Sequence, residues 1–461
     1  MVNSGRAPFN IFARIGSARP VKYHDHTEDR REVEAIPLLT DPDDCLTVAN
    51  ACLEKDILYG SARACFGNGL VTATANVWKD QRKLLNPKFN LNYLHSFLDV
   101  FNKQAKILVK EFECHIDKGE FDHGSLIRQN EMKTICQERM QKKIFPSDVS
   151  PHPENSPPLP AIKEKCGKGK TIEINPPIPH VAFVVLYLAR SRTDTCCRPK
   201  GLISTDVPSL RHIIKKRKAD HLNKLITGDV DEGENFKPFL DVLFELKKTV
   251  GDDVMTDKLI RDQVTTLIMA GHDTVSHVLQ LTLILIGSYS GVQDKIYAEL
   301  QQVFENSDRD VDKDDLTKLI YLEAVLKESM RLYSIVPIVS RHLHQDVRLK
   351  HYTLRRGHSC VLNLVSVHRH PMWGPDAEEF KPERWLNPNT LPSNPNAFIA
   401  FSLGKRNCIG RTYSMISMKT TLAHILRKYS INADHKKMQL KLECLMKPFA
   451  GHHIIIERRK K

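Results

Sequence analysis

The sequence predicts a mainly α fold with a small β part. Three observations carry this reading: long stretches with apolar residues at three- and four-residue spacing, short strand-like pieces after Ile338, and no internal repeat of the solenoid or propeller kind. In chain order, the helical stretches are Asn76 to Lys88, Leu94 to Cys114, Thr256 to Ser288, Val292 to Phe304 and Asp315 to Tyr333. Strand-like pieces follow at Val347 to Leu354 and Ser359 to Val365, then loops rich in Pro and Gly. A last helix runs from Thr412 to Lys428.

The 461 residues are 41% hydrophobic and 27% charged, an ordinary globular balance that excludes collagen, coiled-coil arrays and wholesale disorder. The 68 Lys and Arg outnumber 55 Asp and Glu, and the net charge of +13 favours acidic partners. The 11 cysteines are scattered from Cys45 to Cys444 without repeated spacing, which suggests reduced thiols facing the cytosol. Residues 1–40 read as an irregular N-terminus without an anchor: Met1 to Pro20 carries Arg6, Arg14 and Arg19 and no apolar run. The apolar run Val181 to Ala189 is too short to span a bilayer. Residues 41–461 read as a single domain, interrupted at 137–205 by a proline-rich stretch with a basic patch from Lys163 to Lys170.

The sharpest motif is Phe401-Ser402-Leu403-Gly404-Lys405-Arg406-Asn407-Cys408-Ile409-Gly410, ending where the last helix begins. A cysteine there meets backbone N–H groups and the positive end of the helix dipole, which favour a metal-binding thiolate. Gly404 and Gly410 permit tight turns and close approach to something flat, and Arg406 places a cation two residues from the sulfur. A buried free cysteine beside a glycine turn is the bland alternative, and it leaves the rest of the decapeptide unexplained.

A second motif, Ala270-Gly271-His272-Asp273-Thr274, lies in the longest helical stretch. Gly271 weakens a helix interior by roughly 1 kcal/mol, a cost that makes sense if something needs the space. An acid beside a hydroxyl can relay protons to a bound group, whereas Asp-Thr alone would pass for a solvent-facing patch. Leu267, Ile268, Val275 and Val278 argue that the helix is buried on most sides. A third pattern places Glu328 and Arg331 on one helix face, with Arg384 of Phe380-Lys381-Pro382-Glu383-Arg384-Trp385 available to complete a buried ion network that fixes a loop. Gly167 to Thr171, the Asp308-Asp310-Asp312 series, Cys196-Cys197 and His368-Arg369-His370 mimic phosphate, calcium or zinc sites, but each lacks a required position, and solvated loop is the better reading.

These motifs, in this order, resemble the cytochrome P-450 family, whose cysteine loop is Phe-x-x-Gly-x-Arg-x-Cys-x-Gly. The resemblance covers about Asp41 to Arg128 and Ser209 to the C-terminus, and its phrasing from His368 to Pro375 and Asn407 to Gly410 looks most like the animal clan that includes fatty-acid ω-hydroxylases and insect members. It implies a haem-thiolate fold in which Cys408 is the axial ligand of haem iron, Phe401 packs beside the sulfur, and Gly404 and Gly410 shape the loop. Arg406, Arg341 and the pair Trp78 and Arg82 would face the haem propionates, and Asp273 and Thr274 would deliver protons. In part of that clan a glutamate before the motif glycine bonds haem covalently; Ala270 stands there, so the haem b is expected to be non-covalent.

The activity so implied is a monooxygenase that inserts one atom of O2 into a hydrophobic small molecule, a fatty acid, hormone or xenobiotic. Electrons would come from an NADPH-cytochrome reductase, with cytochrome b5 as a further donor, at the cytosolic face of the endoplasmic reticulum membrane. Lys79, Lys83 and Lys88 would dock the acidic reductase, and entrance loops would touch the membrane peripherally. No nucleic acid is expected as partner, because the basic surplus comes with no recognition motif. Residues 137–205 fall where the family carries helices that roof the substrate pocket, which leaves open a non-catalytic haem-binding protein from a disrupted gene product.

Overall fold

A computed structural model describes residues 36–56, 59–136, 214–221, 223, 237–442 and 445–459. The expectations for the stretch 137–205 and for the run Val181 to Ala189 lie outside the described residues, as do those for residues 1–35.

The chain enters through β1 (Leu38–Leu39), α1 (Pro42–Ala51), α2 (Tyr59–Phe66), α3 (Ala75–Leu85), α4 (Leu91–His95), α5 (Leu98–Glu113) and α6 (His123–Cys136). Beyond the helical residues 214–221 come α7 (Phe239–Val250), α8 (Asp257–Ser288), α9 (Ser290–Phe304), α10 (Lys313–Lys318) and α11 (Ile320–Leu332). Short strands follow: β2 (Ile338–His342), β3 (Val347–Arg348), β4 (Thr353–Leu354) and β5 (Ser359–Asn363), then α12 (Leu364–Val367) and α13 (Arg411–Lys428). Two antiparallel pairs close the chain, β6 (Tyr429–Asn432) with β9 (Ile455–Arg458) and β7 (Gln439–Leu442) with β8 (Met446–Ala450).

Helix α8, 32 residues and about 48 Å long, is the axis of the molecule. Thr256 caps it by accepting the Leu259 N–H at 3.1 Å, and from Val275 to Ile286 every side chain is buried, because α6, α9, α11 and α13 pack around it. A helix buried all round belongs inside a large core. Among the described residues no single helix is long and apolar enough to cross a membrane.

Where the sequence predicts one helix from Asp315 to Tyr333, the chain breaks at Leu319 into α10 and α11. Asp312 and Asp315 form a reciprocal capping box on α10, and Glu299 of α9 accepts the Tyr321 and Leu322 N–H groups that open α11. Helices α1, α2, α6 and α7, and the strands β1, β2 and β6 to β9, were not among the predicted elements; β1 falls in the stretch 1–40 that reads as irregular, where pairing with β5 makes Leu38–Leu39 a strand. The stretch Val347 to Leu354 is a hairpin of two short strands, and Ser359 to Val365 turns helical after Asn363, whose side chain accepts the Ser366 N–H. Strand β5 lies parallel to β1 and antiparallel to β2, in a register that pairs Cys360 with Arg341. Cys45, Cys52, Cys114, Cys136, Cys360 and Cys408 are free thiols.

Candidate active site

Residues 401–410 form a closed loop leading into α13. The Cys408 N–H donates to the Phe401 carbonyl at 2.9 Å, and the Asn407 N–H to the Gly404 carbonyl at 3.1 Å. Gly404 has φ +67°, and a Cβ there would come within 2.9 Å of Ala49 on α1, so the loop can rest on α1 only with glycine at this position. Gly410 caps α13, and its backbone N–H bonds the Cys408 sulfur. Cys408 is an exposed free cysteine. Burial, the largest influence, raises the thiol above its ordinary value and outweighs the Gly410 amide, Arg82 and Arg411, which lower it. The expected thiolate bias of the helix start is therefore present but insufficient alone; a cation on the sulfur would reverse the balance.

Behind this loop lies a cluster of cations. Arg406 stacks its guanidinium 4.7 Å above the Trp78 ring and donates Nη2 to the Ala73 carbonyl at 2.6 Å. Arg341, fully buried on β2, donates Nη1 to its neighbour's carbonyl on Ser340 at 3.0 Å. Nε and Nη1 of Arg406, with Nε and Nη2 of Arg341, are buried without a partner. Burial and then Arg341 lower Arg406 to about 10. Lys55, its ammonium 4.2 Å over the Tyr59 ring, is lowered by burial and by both arginines. Sequence reasoning missed Lys55, since between Glu54 and Asp56 it looks like any surface charge.

Arg82 is placed differently from the other two arginines. Its Nη1 and Nη2 bond the carbonyl and side-chain oxygen of Asn407 at 2.8 and 2.9 Å, and its Nε bonds Asn86 at 2.5 Å. It braces the residue before Cys408. Phe401 lies beneath the Arg411 guanidinium at 5.7 Å.

On α8, the Thr274 hydroxyl donates to the Ala270 carbonyl at 2.6 Å, and the half-buried Asp273 carboxylate approaches His272 Nδ1 at 3.3 Å. The space beside Gly271 goes to α6: a Cβ there would stand 2.9 Å from Ile135 Cδ1. The glycine thus serves close helix contact. Below the cysteine loop, Glu328 receives Arg331 Nε and Nη2 at 2.8 Å each, Arg384 Nε at 2.8 Å and the Trp385 indole at 2.9 Å. The acid and both arginines are at most 2% exposed. Arg331 also donates to the His368 and Ala377 carbonyls at 2.9 and 2.6 Å. The solvated-loop reading fails for His368, which is fully buried.

Among the described residues no three His, Cys, Asp or Glu side chains cluster to hold a metal. A lone cysteine with unpartnered buried guanidinium groups nearby would instead suit a metal-bearing cofactor that supplies its other ligands and carries its own carboxylates. A model of the cytochrome P450 family matches residues 52–452. The chain belongs to that family. It is 31% identical to cytochrome P450 4V2 of Mus musculus over 88% of this chain and 77% of the relative, and 29% identical to cytochrome P450 4c21 of Blattella germanica over 88% and 80%. A crystal structure of a cytochrome P450 (CYP102L1) superposes with a TM-score of 0.69 at 21% identity, covering 92% of this chain and 89% of that one. As a cytochrome P450 the chain is a monooxygenase with a non-covalent haem held through a cysteine thiolate, and the mainly α haem-thiolate fold agrees with the sequence reading. The four buried guanidinium nitrogens without partners fit the two propionates of that cofactor.

Proposed function

We propose that this cytochrome P450 hydroxylates a hydrophobic small molecule of the fatty-acid, hormone or xenobiotic kind, with Cys408 as the iron ligand and with electrons from an NADPH-dependent reductase. The observation that carries the site assignment is the pair Arg341 and Arg406, buried beside the cysteine loop with four nitrogens unpaired. Bound haem with a thiolate ligand supplies dioxygen activation and insertion of one oxygen atom. In the balanced reaction the substrate, O2, NADPH and a proton give the hydroxylated product, water and NADP⁺.

The chain's own residues supply the surroundings. Gly410 steadies the sulfur through its N–H, Gly404 lets the loop lie on α1, and the Phe401 carbonyl accepts the Cys408 amide hydrogen. Arg341 and Arg406, the latter on Trp78, would hold the propionates, while Arg82 acts one step removed by holding Asn407. Asp273 and Thr274 pass protons from α8. Lys79 and Lys83 are exposed one turn apart on α3, the helix that carries Arg82, and would receive an acidic reductase or cytochrome b5. Association with the endoplasmic reticulum membrane and a single catalytic domain over 41–461 complete the reading.

NADPH consumption with purified reductase and a panel of fatty acids and other lipids tests it. Substrate-dependent consumption with a hydroxylated product is expected. Haem bound firmly with no NADPH consumed would select a non-catalytic haem protein.

A further inference from the structure

The pair at the centre of the α8 motif has an unusual proton arrangement. His272 Nε2 stands 3.0 Å from the Arg128 carbonyl on α6. A carbonyl cannot donate, so Nε2 carries the hydrogen. A neutral ring then leaves Nδ1 as a bare lone pair, buried, without a hydrogen-bond partner, and 3.3 Å from Asp273 Oδ1. Two acceptors at that distance repel. One shared proton removes the repulsion, whether it sits on Nδ1 as imidazolium against carboxylate or on Oδ1 as carboxylic acid against imidazole.

The surroundings act on the His272 ring in opposing directions. Burial is the largest influence and lowers the ring below its ordinary value; the Asp273 charge and the bond to the Arg128 carbonyl favour the imidazolium, and the Arg128 charge works against it. His277, one turn on, spends Nδ1 on the Asp273 backbone carbonyl at 2.6 Å, and Lys447 on β8 faces His277 rather than His272. No other charged group among those acting on His272 competes with Asp273 for its proton.

We infer that His272 is a positioning residue that stores the proton Asp273 delivers: the one shared proton passes from His272 Nδ1 to Asp273 Oδ1, and Asp273 then hands that proton on towards the Thr274 hydroxyl. No electrons are transferred in this step, and the pair recovers a proton from water at the partly exposed carboxylate. The inference rests on the proposed role of Asp273 and Thr274 in proton delivery.

Three variants, His272→Gln, Asp273→Asn and the double variant, separate the two claims. Each is first checked for an intact ferrous carbon-monoxide spectrum, and turnover is followed with dodecanoate, driven either by NADPH and reductase or by hydrogen peroxide, which brings its own protons. His272→Gln is expected to lower NADPH-driven product formation at least about tenfold, to release more peroxide per NADPH and to leave peroxide-driven turnover intact. The double variant should be no worse than Asp273→Asn, because both act on one proton. Nitrogen NMR of labelled histidine in the diamagnetic carbon-monoxide form gives a readout independent of turnover: the His272 Nδ1 signal should shift when Asp273 becomes Asn. An unchanged NMR signal, or His272→Gln coupling as well as wild type while Asp273→Asn does not, overturns the proton store alone. If Asp273→Asn also couples normally, the delivery reading falls with it.

Discussion

His368 Nε2 accepts the Ile399 N–H at 2.9 Å, while Nδ1 meets the Ser334 hydroxyl at 2.8 Å and the His368 carbonyl receives Arg331. Because a backbone N–H can only donate, the ring is the neutral tautomer with hydrogen on Nδ1. Ile399 in turn accepts the Ser402 N–H at 2.8 Å. A continuous chain of hydrogen bonds thus joins the Glu328 network to the loop that ends at Cys408.

His368→Phe leaves the Ile399 amide and the Ser334 hydroxyl without the ring, each a buried group that loses its partner. A loss of about 2–4 kcal/mol in unfolding free energy is expected, read from the urea midpoint, together with weaker haem retention. A midpoint within about 0.5 kcal/mol of wild type would show that the link carries no strain.

The same chemistry fixes a pH dependence. Burial lowers His123 to about 4, and His368 and His424 to about 3. Depressed folded values mean that the unfolded chain takes up protons below its ordinary value of 6.5 while the folded rings resist. Stability is therefore full above that value and is lost as pH falls towards 3, by up to about 1.4 kcal/mol per pH unit for each ring. Denaturant midpoints at pH 7 and pH 5 should differ in that sense, and a midpoint that rises on acidification would contradict it.

Breaking the Glu328 network from one side is worse than losing it whole. Glu328→Gln removes the charge that two buried arginines share, and a destabilisation of about 3–5 kcal/mol is expected in thermal or urea unfolding.

Arg341→Met should act with opposite signs on the two forms. Without haem the variant relieves a buried cation that repels Arg406 and Lys55, so the apoprotein should be no less stable than wild type. Haem transfer to apomyoglobin should be faster by tenfold or more, corresponding to a loss of about 1.4 kcal/mol or more of cofactor binding. Equal transfer rates would remove Arg341 from the cofactor site.

Much of this site was legible in the sequence because the chemistry is local: Cys408, Gly404 and Arg406 stand within five residues, and the helix start after them is readable. The resemblance also placed Trp78 and Arg82 at this site, but the particular long-range contacts were not readable. Trp78 lies under Arg406, Arg82 holds Asn407, and Ile135 fills the space beside Gly271, all contacts between residues more than a hundred positions apart. Helices α1 and α6 escaped notice because their buried faces include polar side chains such as Asp44, Asn130 and Glu131, which blur the apolar period. His368 read as loop for the same reason: nothing in His-Arg-His marks a ring whose two nitrogens are both used internally.

The most direct test of the account is the absorption spectrum of the ferrous carbon-monoxide complex, recorded for the wild-type chain and for Cys408→His. The wild type is expected to show the strongly red-shifted Soret band of thiolate ligation, and the variant only the shorter-wavelength band of a neutral ligand. A red-shifted band that survives in Cys408→His, or a wild type that shows only the shorter-wavelength band, would contradict Cys408 as the iron ligand.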